Sequence, residues 1–435
     1  MKKKLFVLSM DAMIREDVAY MENKPNFKRI MENRAEVEKV CSVYPASTYP
    51  AHTTLMTGCY PGKHGVYSNF PLRTVPDGVS HWPVGSNWIF AEDLFAAAKR
   101  AGCTTAAVYW PITGRNPDID HIINEYFFYY PEERERIEAV FADQGADAVA
   151  LQAVRENLRH FPKAADGQAS IADGFDEFIM GCTCSLIRNA QPDVLLIHNC
   201  LLDTLRHRGG VFGRHMEEAM DRMDEWLGDV IAAMEDAGVF EQTDFVILSD
   251  HGQMDVSRNV NINVLLRQGG FLEVAPNGTI YNWQAYAQSN GISTTVHLID
   301  PTNQKLYERV YDYLLQLQKA GKYGIERVLT GELLAERYGQ RGPFSFMLEA
   351  EPGTGFGNSW TGEPLTLRPE GKPRGTHGHM PEKGPQPIFM AHGPSFRDGA
   401  VVGNAKLVDI APTLAAVLGQ VLTEADGCVL SELLK

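Results

Sequence analysis

Long apolar runs are missing from this chain: no stretch of about 18 such residues occurs, so no membrane-spanning helix is expected. The opening MKKKLFVLSMDAM sets basic residues before an apolar run, as a secretion signal does. That run, Leu5 to Met10, stops at Asp11 and reads as a buried strand. Cysteine pairs are missing too. The seven cysteines (41, 59, 103, 182, 184, 200 and 428) are odd in number and show no CxxC spacing, which excludes a disulfide framework and fits a reducing, cytoplasmic setting. Cys182-x-Cys184 has no second pair nearby and reads as two small core residues. Basic charge is in deficit, 40 Lys and Arg against 55 Asp and Glu. The net charge of -15 argues against a nucleic-acid duplex or an anionic membrane as a broad-surface partner. A small anionic substrate stays compatible if local cations offset the field, which points to metal ions. Internal repeats and low-complexity tracts are also absent from the sequence.

What is present is an ordinary globular composition, 435 residues with 44% apolar, enough for one large α/β domain carrying an insertion. Leu5–Met10, Thr104–Tyr109, Asp193–His198 and Asp244–Ser249 are short continuous apolar runs, the pattern of strands buried on both faces of a parallel sheet. Residues 91–101 read as a helix stopped by Gly102. Met220, Met223, Leu227, Ile231 and Met234 recur at helical spacing up to Gly238 and read as core. The segment from Gly114 to about Gly174 is more polar and reads as helical. After Asn263 the texture changes to short strands around a helix near Gln304–Lys319. Residues 264–370 are therefore expected to form an inserted smaller α+β lid domain, with 1–263 and 371–435 forming the catalytic α/β domain.

The most informative stretch is YPASTYPAHTTLMTGCYPGKHGVYSN, from Tyr44 to Asn69. Prolines on both sides of Ser47-Thr48 keep the backbone extended there, so a helix can begin only at about Thr48. Its hydroxyl would either cap that helix or face an anion at the free N–H groups. Asp11, Asp203 and Asp250 each follow a strand, and ligands bind at the carboxyl ends of strands in open α/β sheets. His207 stands four residues after Asp203, and His251 directly follows Asp250; either spacing lets two side chains reach one ion. His377, between Thr376 and Gly378, adds a further candidate ligand with room for close approach. Such Asp/His mixtures suit zinc, or manganese and iron, better than calcium or magnesium.

The set SMDAM, STYPAH, YPGKHGVYSN, DTLRH, SDHG and GTHG resembles the alkaline phosphatase superfamily, and within it the nucleotide pyrophosphatase/phosphodiesterase branch. GPSFRDG and VDIAPTLAAVLG near the end resemble that branch as well. The resemblance implies an alkaline-phosphatase-like three-layer sandwich with a largely parallel central sheet. It implies two divalent ions, zinc favoured: Asp203, His207 and His377 on one, Asp11, Asp250, His251 and the Thr48 oxygen on the other. Two ions about 4 Å apart would clamp an in-line displacement. Thr48 would be the nucleophile of a phosphothreonine cycle, with Asn69 holding a non-bridging oxygen of a phosphodiester or nucleotide pyrophosphate. A neutral asparagine at that point goes with singly charged diesters. The competing expectations are a phosphonate hydrolase of the phosphonoacetate type and, outside enzymes, a metal-dependent phosphate-binding protein. Thr48-Tyr-Pro-Ala-His52 speaks against a sulfatase.

For the remaining histidines, His52, His64 and His379 are expected to orient ligands, whereas His81, His121, His160, His198, His215, His297 and His392 are expected to be structural or surface residues. Lys63 and Arg206 lie close enough to the motifs to meet a phosphate. Tyr126, Phe127, Phe128, Tyr129 and Trp360 could stack a base or belong to the core.

Overall fold

The computed structural model describes residues 4–72, 82–128, 130–162, 174–369 and 374–435. His81, Tyr129 and the expected boundary at 370/371 lie outside them. The central sheet has eight strands: β1 (Lys4–Met10), β2 (Ala35–Cys41), β3 (Thr105–Val108), β4 (His121–Ile123), β5 (Val194–Asn199), β6 (Thr243–Leu248), β7 (Phe389–His392) and β8 (Val401–Lys406). They run in the order β8-β2-β7-β6-β1-β5-β3-β4. Every pairing is parallel except those of β7, which runs against both β2 and β6.

The alternation along β1 explains why its run is continuously apolar. Phe6, Leu8 and Met10 enter one core and Leu5 and Val7 the other, so both faces are covered by helices. One layer contains Phe175–Asn189 and Arg214–Asp236; the other contains Thr48–Thr57, Leu94–Arg100 and Ile410–Val417. Along Arg214–Asp236 the anticipated methionine, leucine and isoleucine stripe is buried against the sheet. Each fully buried side chain of that size contributes roughly 1.5–3 kcal/mol. Cys182 and Cys184 are buried in the same core, and all seven cysteines are free thiols. Phe127 and Phe128 are buried among other side chains, Phe128 in the larger core. The segment expected to be helical up to about Gly174 also supplies β4, the outermost strand. Among the described residues, no helix is long and apolar enough to cross a membrane.

A further hydrophobic core, from Val256 to Phe356, lies under a four-stranded antiparallel sheet (Ala285–Ser289, Ser293–Leu298, Phe346–Ala350, Ile325–Thr330). The helix Gln304–Lys319 buries Leu306, Val310, Leu314 and Leu317 in this core. A smaller sheet connects the two regions. Met254–Asn261, which leaves the loop after Asp250, pairs with Gly353–Gly357, Leu365–Leu367 and Arg374–Thr376. Because Thr376 stands opposite Met254 in that ladder, the chain is brought back so that His377 follows directly beside the His251 loop.

Candidate metal centre

Asp11 and Asp250 follow β1 and β6 directly, and Asp203 lies in the first turn of the helix Leu201–Gly209 after β5, so all three stand at the carboxyl ends of parallel strands in register. Two groups of side chains form there. In one, Asp11, Asp250 and His251 each offer a ligand atom, all within 4.8 Å of one another; in the other, Asp203, His207 and His377 do the same. The groups adjoin: the His377 ring centroid is 4.4 Å from that of His251 and 5.1 Å from that of His207.

Thr48 is the first residue of the helix Thr48–Thr57; the cap position, one of the two roles open to Thr48, falls instead to the extended Ser47, whose side chain makes no cap bond. Its Oγ1 lies 3.2 Å from His251 Nε2. Asp250 Oδ2 lies 3.1 Å and Asp11 Oδ1 3.5 Å from the same nitrogen. Neither carboxylate oxygen has a hydrogen-bond partner, and both are buried. A tetrahedral ion with bonds of about 2.0–2.1 Å spaces its ligands roughly 3.3 Å apart. The observed spacings, two orphaned carboxylate oxygens and an imidazole nitrogen thus fit a divalent ion. In the second group, His207 Nδ1–H donates to Gly375 O (2.9 Å), which leaves Nε2 as a free lone pair 3.4 Å from Asp203 Oδ2. Gly375 permits that approach: a Cβ there would meet Gln253 Oε1 at 2.3 Å and Arg206 O at 2.9 Å.

Electrostatics point the same way. Burial, then repulsion from Asp250 and Asp203, pushes the Asp11 carboxyl well above its ordinary range. Burial also opposes the charge of Asp250, but His251 and His52 hold it below the ordinary carboxylate value. Burial, then His251 and His207, keeps His377 well below the usual imidazole range, in the neutral form that ligates. A bound cation would relieve this carboxylate repulsion.

Asn69 Oδ1 accepts a hydrogen bond from the Tyr49 N–H (2.8 Å) at the helix start. That bond fixes the amide and leaves Nδ2 as its donor side. His52 sits behind the cluster, with Nδ1 donating to Thr48 O (2.8 Å) and lying 3.4 Å from Asp250 Oδ2. His64 is instead bonded to Thr54 (3.1 Å), which ties two short helices together, and His379 to Met380 O (2.8 Å); neither bond reaches a candidate ligand. Neither basic residue near the motifs is free for a phosphate. Arg206 is fully buried and donates to Ala12 O, Val211 O and Asp17, while Lys63 is held by Asp426 and Glu424 O.

His198, expected to be merely structural, turns out to touch the cluster: its Nε2 lies 2.8 Å from Asp11 Oδ2. Gln253 bonds Asp203 through Nε2 and was not anticipated at all. The pairing of β1 with β5, which sets Ser9 opposite His198, carries the signal for the first; SDHGQ offers no comparable signal for the second.

Asp/His clusters at the carboxyl ends of a largely parallel sheet, faced by a threonine at a helix start, define a metal-dependent hydrolase. The chain belongs to the type I phosphodiesterase/nucleotide pyrophosphatase family, whose model matches residues 5–380, and it is an enzyme of that type. It is 21% identical over 430 residues to mouse bis(5'-adenosyl)-triphosphatase enpp4, covering 96% of this chain and 77% of that one. A local match to human ectonucleotide pyrophosphatase/phosphodiesterase family member 5 is 32% identical over 117 residues, 26% of this chain and 24% of that one. Murine ectonucleotide pyrophosphatase/phosphodiesterase 5 superposes with a TM-score of 0.65 at 20% identity and full coverage of both chains, which establishes the alkaline-phosphatase-like α/β fold. An inactive threonine-to-alanine variant of that murine protein has been solved in complex with AMP.

Proposed function

We propose that the protein hydrolyses phosphodiesters or nucleotide pyrophosphates with two divalent ions and a phosphothreonine intermediate on Thr48. The observation that carries this reading is Thr48 Oγ1, 3.2 Å from His251 Nε2, the nitrogen that the unpartnered Asp11 and Asp250 oxygens also approach. Asp11, Asp250, His251 and Thr48 would hold one ion and Asp203, His207 and His377 the other. Zinc is favoured, with manganese or iron as alternatives. Bound there, dications supply Lewis acidity, lowering the hydroxyl pKa and offsetting charge that develops on the phosphoryl group.

The chain's own groups do the rest. Thr48 Oγ1 attacks phosphorus, the phosphorus–oxygen bond to the leaving group breaks, and the departing oxygen is protonated. Water then attacks phosphorus, the bond to Thr48 breaks, and the hydroxyl is restored. Of the helix's first N–H groups only that of Thr48 would face the anion, because Tyr49 N–H donates to Asn69, Pro50 has none and Ala51 N–H donates to Ser47 O. Asn69 Nδ2, fixed by the bond from Tyr49 N–H, donates to a non-bridging oxygen without adding charge. A neutral donor matches the single charge of a diester. A relative's complex with AMP supports a nucleotide as the substrate class. Residues 264–370 would serve as a lid, since the hairpin after Ala285–Ser289 reaches the site, Ile292 N donating to His377 O (2.9 Å). A cytoplasmic setting is proposed from the free thiols alone.

The test compares bis-p-nitrophenyl phosphate and a p-nitrophenyl nucleotide ester with p-nitrophenyl phosphate, each with zinc or manganese. The diesters are expected to be turned over faster. Equal or better monoester turnover would reject the role given to Asn69, and faster cleavage of phosphonoacetate would move the assignment to phosphonates.

A further inference from the structure

All three carboxylates of the site share one feature: one oxygen is engaged by the protein and the other faces a ligand histidine. Asp250 Oδ1 accepts from Ala12 N–H (3.2 Å), leaving Oδ2. Asp203 Oδ1 accepts from Gln253 Nε2, leaving Oδ2 3.4 Å from His207 Nε2. Asp11 Oδ2 meets His198 Nε2 at 2.8 Å, leaving Oδ1 3.5 Å from His251 Nε2. Two of the tethers are a backbone amide and a side-chain amide. The third is an imidazole with supports of its own.

His198 is 1% exposed, near the carboxyl end of β5. Its Nδ1 faces Tyr109 O at 3.3 Å and the buried Glu125 Oε1 at 3.5 Å, and its ring lies 4.3 Å from that of His52. The ring is therefore fixed from behind and cannot swing away from Asp11. Its Nε2 is occupied by Asp11, so His198 and Cys200 beside it do not make an additional metal site, although their donor atoms lie close together.

We propose that His198 is a positioning residue that ties up one oxygen of Asp11, restricts that carboxylate to a single bond to metal, and so selects ions of low coordination number. Calcium takes 6–8 oxygen ligands, some from bidentate carboxylates, and manganese favours octahedral oxygen sites, whereas zinc is satisfied by four ligands. Freeing Oδ2 would let Asp11 bind through both oxygens and favour the larger ions. The inference rests on Asp11 being a ligand, as the proposed function has it.

His198→Leu removes the tether, and His198→Gln keeps an amide donor near the place of Nε2. Zinc and manganese affinities are measured by chelator competition, and the visible spectrum is recorded after cobalt substitution. In the wild type, cobalt should give the intense absorption of a four-coordinate ion. In His198→Leu, the preference for zinc over manganese should fall by about tenfold or more and the cobalt band should weaken, while His198→Gln should stay near the wild type. A folded His198→Leu protein with the wild-type affinity ratio and cobalt band would overturn the proposal. So would a weak, six-coordinate cobalt spectrum in the wild type, which tests the idea even if His198→Leu fails to fold. Stoichiometry separates this from the parent reading: fewer than two ions per wild-type chain refutes the two-ion assignment, whereas two ions with an indifferent His198→Leu refutes only the role of His198.

Discussion

Side-chain exposure is 3% for Asp11 and 0% for Asp250 and His251, whereas Asp203 keeps 15% and His207 keeps 26%. The two ligand clusters adjoin through His377, yet one is sealed in protein and the other opens towards solvent. In the sealed cluster two carboxylates repel each other where water cannot screen them, so a cation gains most there and the geometry must already be set. The partly exposed cluster has less to lose without its ion. On the proposed mechanism the sealed side would hold the nucleophile, and the open side would exchange ion, water and product.

The sharpest way to break this comparison is Thr48→Ala. If the sealed cluster exists to activate that hydroxyl, turnover should fall on the order of 10³–10⁶-fold while metal content stays near the wild type. Rates and elemental analysis on the same preparation decide it. Surviving activity would mean that water attacks directly and that the sealed cluster has another purpose.

His377→Ala acts on the open side. It should cost at least the roughly 10–100-fold that losing an outer partner of a metal costs, remove one ion of the proposed two, and be partly restored by added metal. Asp250→Asn, on the sealed side, should resist such rescue, because the variant leaves a buried amide facing His251. Rescue of both to the same extent would erase the distinction between the clusters. A graded challenge of the wild type with chelator sharpens it further: the metal should leave in two phases, the faster one tracking the cluster of Asp203 and His207. A single phase would show that exposure does not govern release.

These contrasts were only half legible in the sequence. Asp11, Asp203 and Asp250 could be placed at one crevice because each ends or closely follows an apolar run, and parallel strands share a carboxyl end. Thr48 could be placed at a helix start because of the flanking prolines. What local patterns could not give is pairing. β2 alternates buried and open positions and carries Glu36, Glu38 and Lys39, so it reads as a solvated stretch until β7 and β8 are found beside it. β4 has three residues inside a polar segment and owes its place to pairing with β3 and to Ile122 and Ile123 entering the two cores. His198 could have been found from strand register, since β1 and β5 bring it beside Asp11, but register is a property of two segments and neither contains it. Arg206 looked available because of its position between Asp203 and His207, although the opposite face of that helix turn is buried against Ala12 and Asp17.

The smallest effect on turnover is expected at Glu349, on the strand Phe346–Ala350 of the antiparallel sheet. This buried carboxyl accepts from Tyr44 Oη (3.0 Å), just ahead of the Thr48 helix, and from Met380 N–H (3.2 Å), just after His377; it also lies 3.0 Å from Lys383 Nζ. Burial pushes its pKa up from 4.5 to about 7 in spite of Lys383. The folded protein therefore keeps a proton that the unfolded chain has released once the pH exceeds about 4.5. The contribution of Glu349 to stability is largest in acid, declines as the pH rises through that window, and is flat above about 7, a change on the order of 3 kcal/mol. Glu349→Gln cannot titrate and keeps an acceptor for Tyr44, so the urea midpoint of the wild type should fall relative to the variant between pH 5 and pH 8. Because Glu349 joins the antiparallel sheet to the segment ahead of the Thr48 helix and to the one after His377, and touches neither residue, diester turnover measured alongside should change by only a few fold. Parallel urea midpoints at both pH values would mean that the carboxylate is ionised in the fold and that Lys383, not burial, governs it.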